Sequence, residues 1–247
     1  MNLPQDWIVP QWPAPRQVRA MITTRSGGVS SGPYASFNLG DLTDDEPEAV
    51  SENKRRLDAL LPNQARWLHQ VHSARVVRAE TASEGVQADA SYTHTEGVVC
   101  AVKIADCMPV LLCDRSGGSV GIAHAGWRGL AQGVVENTIQ AMSVDPGSLY
   151  AYLGPAIGPN AFEVGKDVLD AFCRVDPDAA GAFHSLRPGK WLADLFVLGR
   201  QRLARAGVTE VYGGGICTVS DSERFFSHRR DRVTGRMAAL IWRDRNY

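Results

Sequence analysis

The chain has 247 residues, 44% of them hydrophobic, with 26 Lys and Arg against 27 Asp and Glu. That length and apolar content suit one domain, expected over residues 1–247, with a real core. A formal net charge of −1 leaves no field to draw nucleic acid or an anionic membrane, so neither is an expected partner. A charged small molecule would need a local cluster of charge instead.

The first residues, MNLPQDWIVPQWPAP, are rich in Pro and Trp and lack the apolar stretch of a signal peptide. No apolar run reaches the roughly 18 residues that span a bilayer. The five cysteines, at 100, 107, 113, 173 and 217, are odd in number and follow no disulfide framework. Reduced thiols in a cytoplasmic protein are expected.

In chain order, residues 18–24 read as a strand, followed by the Gly-rich stretch Thr23-Thr24-Arg25-Ser26-Gly27-Gly28-Val29-Ser30. The acidic run TDDEPE leads into a helix over 47–61, with Val50 and Leu57 on one side. Short apolar runs predict strands over 71–77, 97–105, 109–113, 119–125, 149–153 and 238–242. Helical patterns fall at 129–142, 161–174 and 191–206, the last stopping at Ala206-Gly207. Between them Gly154-Pro155-Ala156-Ile157-Gly158-Pro159 reads as a rigid wall. No internal repeat is visible. The expected fold is α/β, or α+β, with a mixed β-sheet and flanking helices.

Three residues with ligand chemistry fall at strand ends. Cys107 lies in the turn Asp106-Cys107-Met108-Pro109, where Pro109 holds Met108 extended and so fixes the thiol's direction. His124 sits among small residues in GIAHAGWRG, and His72 follows Gln70-Val71 at the predicted start of strand 71–77. Each has an ordinary structural explanation, as a small buried thiol or a hydrogen-bonded core imidazole. None forms a local metal motif. Together, two imidazoles and a thiolate make a three-ligand set with one open position, the layout of catalytic zinc. The same ligands with a weak axial Met suit copper, and Met108 adjoins Cys107.

Two cationic segments are candidate substrate sites. The glycines around Arg25, Gly28 among them, free backbone N–H groups for an anion. In Phe225-Phe226-Ser227-His228-Arg229-Arg230-Asp231, Phe226 and Arg229 could frame a flat heterocycle and its polar edge.

Six segments in order, TTRSGGVSSGPYASFNLG, WLHQVHS, ADCMPV, AHAGWRG, LGPAIGPNAFEV and FFSHRRDRVTGRMA, give the chain a resemblance to the YfiH family. Its bacterial members are also called peptidoglycan editing factors or laccase-domain polyphenol oxidases, and a human relative acts in purine metabolism. The resemblance covers about residues 7 to 243. It implies a fold shared with cysteine-dependent toxin deamidases and a zinc site at His72, Cys107 and His124. It also implies phosphorolysis of adenosine, inosine, guanosine or methylthioadenosine, deamination of adenosine, and an active-site role for Arg25 on phosphate. Ser227-His228 stands where relatives often have Ser-Tyr.

The resulting expectation is a monomeric zinc enzyme acting on purine nucleosides and phosphate. Cys107, His124, Arg25 and Asp106 are its candidate catalytic residues, with Asp106 as proton carrier. Two alternatives stand beside it. A copper polyphenol oxidase would need more ligands than six histidines supply to a multicopper centre. A metal-free cysteine hydrolase, editing peptidoglycan precursors, would pair Cys107 with His124 as its base.

Overall fold

The computed structural model describes residues 4–244, so both ends of the expected 1–247 domain lie outside the described residues. The chain enters through β1 (Val18–Ile22) and reaches α1 (Pro47–Asp58), which has a proline in its first turn. The short strands β2 (Ala65–Arg66), β3 (Val76–Arg78) and β4 (Ala90–Thr93) follow. Next come the longer β5 (Val99–Ile104), β6 (Met108–Asp114) and β7 (Val120–Ala125).

The helix expected over 129–142 is two, α2 (Trp127–Ala131) and α3 (Val134–Met142), because Gly133 between them has φ 92°. That left-handed value suits glycine and breaks the helix. After β8 (Leu149–Leu153), the expected helix 161–174 splits into β9 (Glu163–Gly165) and α4 (Lys166–Cys173). The strand β10 (Phe183–Arg187) was not foreseen.

The expected helix 191–206 likewise divides into β11 (Lys190–Ala193) and α5 (Leu195–Arg205). Its true start is Asp194, whose carboxylate accepts the N–H groups of Phe196 and Val197 at 2.9 and 3.0 Å. The strand β12 (Glu210–Gly213), the short α6 (His228–Asp231) and β13 (Met237–Arg243) complete the chain.

Among the described residues these strands form three sheets, ordered β1-β13-β5-β2, β12-β8-β6-β7-β4-β3 and β10-β11-β9. Both parallel and antiparallel pairs occur, as the mixed-sheet expectation required. Strand alternation builds the layers. On β5, Cys100, Val102 and Ile104 face inward against Leu111, Cys113, Val120 and Ile122 of the six-stranded sheet. Val99 and Ala101 turn the other way, toward Leu57 of α1.

On β6 and β7, Val110, Leu112 and Ala123 face α3 and α5, against Val134, Ile139, Leu198 and Leu203. The result is helix, sheet, sheet, helix. A strand buried on both faces reads as an unbroken apolar run, which is why β5, β6 and β7 were legible in the sequence.

Candidate metal centre and its cavity

The antiparallel register of β6 and β7 sets Met108 against Ala125 and Pro109 against His124. Cys107 ends the turn before β6, so its side chain lies on the His124 face, at the open end of the layer between the two main sheets. His72 comes from the loop before β3, not from a strand start as expected. Its φ is 59°, a left-handed value uncommon outside glycine.

The cause is Asp89. The N–H groups of Val71, His72 and Ser73 all donate to its carboxylate, at 3.2, 2.9 and 2.6 Å. Three successive amides curled round one anion form a nest, and that curl replaces strand pairing at this point.

The ligand atoms of His72, Cys107 and His124 all lie within 4.8 Å of one another. Among the described residues this is the one group of His, Cys, Asp or Glu side chains close enough to hold an ion. Sγ of Cys107 is 3.7 Å from Nε2 of His72. Sulfur and nitrogen ligands on a tetrahedral zinc ion stand about 3.6 Å apart by the usual bond lengths.

Gly126 is packed against the same atoms. A Cβ there would sit 2.7 Å from Cys107 Sγ and 3.2 Å from His72 Cδ2. Met108 is fully buried on the opposite side, with its Cε reaching Gly199 of α5, so its sulfur is turned away from the three ligands.

Asp89 also reaches His124. Its Oδ1 lies 2.9 Å from His124 Nδ1, and its carbonyl accepts the His124 N–H at 2.7 Å. That leaves Nε2 of His124 for a ligand, the arrangement found behind metal-bound histidines. Asp89 carries no exposed surface. Burial alone would raise its carboxyl, but His124 and Ser73 outweigh that and hold it at about 2.

Burial likewise works against a charged Cys107, yet His124 and His72 hold its thiol down to about 6. His124 is raised in turn, burial opposing and the Cys107 and Asp89 charges prevailing. The protein alone therefore favours a thiolate beside a protonated imidazole. Cys100 and Cys113, buried in strands as the sequence suggested, are pushed up to about 12.

The three ligands open into a cavity of about 1120 Å³ that takes in Lys103, Trp127, His228, Arg229 and Arg236. Arg229 belongs here as expected, but its Nη1 donates to the carbonyls of Ala161 and Glu163, both at 3.1 Å. Asp106 lies beside the site in a strained turn with φ 87°. Its carboxylate accepts the Thr218 hydroxyl and the Arg229 N–H, each at 2.6 Å. It ties the β5–β6 turn to α6 rather than standing free as a proton carrier.

The Gly-rich loop does not join the cavity. Arg25 donates to the carbonyls of Ala35 and Ser222 at 2.9 and 3.0 Å, and its guanidinium lies 4.7 Å from the centre of the Phe226 ring. The N–H groups of Gly28, Val29 and Ser30 donate to Ser36 Oγ, Asn53 Oδ1 and the Ser36 carbonyl. An anion cradle at Arg25 and Gly28 is therefore corrected to a self-closed loop. Phe226 is fully buried, a core residue that cannot frame a heterocycle.

Sequence reading missed Asp89 and Arg236. The one available signal for Asp89 was an acidic residue set between alanines in Ala88-Asp89-Ala90.

Fold and site define a mixed α/β protein with a His/Cys/His centre at the mouth of a cavity. A family model described as multi-copper polyphenol oxidoreductase laccase matches residues 19–244. The chain is 53% identical over 237 residues to a purine nucleoside phosphorylase of Pseudomonas aeruginosa, covering 96% of this chain and 98% of that one. It is 52% identical over 238 residues to purine nucleoside phosphorylase YfiH of Escherichia coli, covering 95% and 98%. The crystal structure of Neisseria meningitidis protein NMB0706 superposes with a TM-score of 0.94 at 54% identity, covering 97% and 100%. The chain belongs to the YfiH family of laccase-domain proteins.

Proposed function

We propose that this protein is a metal-dependent purine nucleoside phosphorylase, with His72, Cys107 and His124 holding a zinc ion. The observation that carries the reading is the His/Cys/His set, backed by Asp89, opening into a cavity with ample room for a nucleoside and a phosphate. The names of the relatives support the substrate class. Adenosine, inosine, guanosine and methylthioadenosine are the proposed nucleosides, with deamination of adenosine as a second activity.

When bound, zinc supplies Lewis acidity beside the substrate. The chain's own residues do the rest. Asp89 fixes the ring of His124 and the backbone of His72. The walls at Trp127, Ile157, Phe162 and Leu195 offer apolar surface to a purine and keep water out. In phosphorolysis a phosphate oxygen bonds to the ribose anomeric carbon as the bond to the purine nitrogen breaks. The electron pair leaves with the base, which takes up a proton. In deamination water adds at the purine C6 carbon and ammonia departs.

The donor set supports zinc over copper, because Met108 faces the core and among the described residues no second ligand cluster is available for a multicopper centre. The thiolate–imidazolium pair favours one other reading, a metal-free cysteine hydrolase. Among the described residues no helix is long and apolar enough to cross a membrane. The five free cysteines support the cytoplasm as the compartment.

The test is product analysis with adenosine and phosphate, with and without chelator. Release of free base and ribose 1-phosphate that stops on chelation supports the proposal. Activity untouched by chelator, yet lost on thiol alkylation, moves the assignment to the cysteine hydrolase.

A further inference from the structure

We propose that Arg236, rather than Arg25, is the residue that binds the phosphate co-substrate. The inference rests on the phosphorylase reading above. That reaction needs a cation on phosphate inside the cavity, whereas Arg25 lies outside it, with Nε and Nη1 donating to loop carbonyls.

Among the cavity cations, the Arg229 guanidinium donates only through its Nη1, to two carbonyls, and is laid over the Phe162 ring, 5.4 Å from its centre. Lys103 is paired with Asp41 at 2.6 Å, Lys54 is paired with the same carboxylate, and Arg66 is exposed. Arg128 is exposed and lies over the Trp127 ring.

Arg236 is the cavity cation held most firmly in place by its backbone and stem. It sits just before β13 and is pinned at its backbone. Its N–H donates to Asn38 Oδ1 at 2.8 Å, and its carbonyl accepts the Leu39 N–H at 3.0 Å. Its stem packs so tightly on Gly40 that a Cβ there would meet Arg236 Cγ at 2.8 Å. One edge of the guanidinium is fixed as well, with Nη1 donating to the carbonyls of Thr234 and Gly235 at 2.8 and 2.9 Å.

Nε and Nη2 make no hydrogen bond to any described residue, and no described carboxylate lies within 4 Å. A partly buried guanidinium that faces a cavity with no carboxylate in contact carries a desolvation cost that more distant charges offset only in part. A phosphate in the cavity offsets it, and the planar fork matches two phosphate oxygens. The Cys107 and Asp106 charges act on this guanidinium, which places it in the electrostatic reach of the metal centre.

The experiment is calorimetric titration of metal-loaded protein with inorganic phosphate, paired with steady-state kinetics in phosphate and in inosine. Arg236→Gln is expected to weaken phosphate binding and raise the phosphate KM by about tenfold or more, the usual loss for a charged hydrogen bond. The inosine KM and the metal content stay near wild type. Arg25→Gln keeps its phosphate affinity.

Unchanged phosphate binding in Arg236→Gln overturns the assignment, as does wild-type protein that binds no phosphate. If the Gln variant fails to fold, Arg236→Lys carries the test: a raised phosphate KM at constant inosine KM supports the role, and an unchanged phosphate KM overturns it. Wild-type protein that binds phosphate through Arg236 but yields no ribose 1-phosphate would sink the phosphorylase reading and leave the anion site standing.

Discussion

Oδ1 of Asp89 lies 2.9 Å from Nδ1 of His124 while the same carboxylate holds the N–H groups of residues 71–73. One buried carboxylate thereby orients two candidate metal ligands on different segments. Pairing of β4 with β7 makes this possible, since Ala90 stands opposite Ala123 and brings Asp89 beside His124. Asp89→Asn is expected to lower zinc affinity by about 10- to 100-fold, the usual loss when a carboxylate behind a ligating histidine is removed. Competition with a chromophoric chelator measures it, and unchanged affinity would show that Asp89 only shapes the loop.

The same carboxylate makes stability depend on pH. Its folded value of about 2 lies below the ordinary aspartate value, so its contribution is complete above about pH 4 and is lost as pH falls through about 2. In metal-free protein, the stability advantage of wild type over Asp89→Asn should shrink across that window by on the order of 2 kcal/mol. Urea unfolding at pH 5 and near pH 2 checks this. An advantage that grows on acidification contradicts it.

Cys107 should be the reactive thiol of the metal-free protein. Its alkylation by iodoacetamide is expected to rise through about pH 6 and level off by neutrality. Cys100 and Cys113 stay inert because burial holds their thiols at about 12. Zinc should protect Cys107. Mass spectrometry of the labelled peptides against pH reads the outcome, and a rise beginning only near pH 9 would remove the two histidines as its partners.

Gly126 offers a steric test. Its φ is −63°, open to any residue, so Gly126→Ala strains no backbone. The added Cβ instead presses on Cys107 and His72. We expect near-normal thermal stability with zinc affinity reduced about tenfold or more. Loss of the fold with retained metal affinity would be the opposite result.

Phe226→Ala should cost about 3–5 kcal/mol of stability, as for other fully buried aromatics. Its remaining folded fraction should keep the wild-type inosine KM, because the ring lies in the core. A selective rise in that KM would restore Phe226 as a substrate residue.

How far the sequence carried this account follows from what each residue signals locally. The paired faces of β5, β6 and β7 were legible because burial on both sides leaves continuous apolar runs. The short β4, Ala90-Ser91-Tyr92-Thr93, has no such run, so Asp89 beside it went unseen. His72 and Cys107 are 35 residues apart, a spacing with no local meaning, and only sheet register and the Asp89 nest bring them together. The Gly-rich loop resembled an anion cradle because glycine content reports backbone freedom, not which acceptors the N–H groups find. Arg236 sits in a turn whose composition says nothing of the cavity behind it.

The most direct test measures zinc content and ribose 1-phosphate release in one preparation of Cys107→Ala, with inosine and phosphate as substrates. Both are expected to fall together, with little bound zinc and phosphorolysis lost. Full zinc content with full phosphorolysis would contradict it.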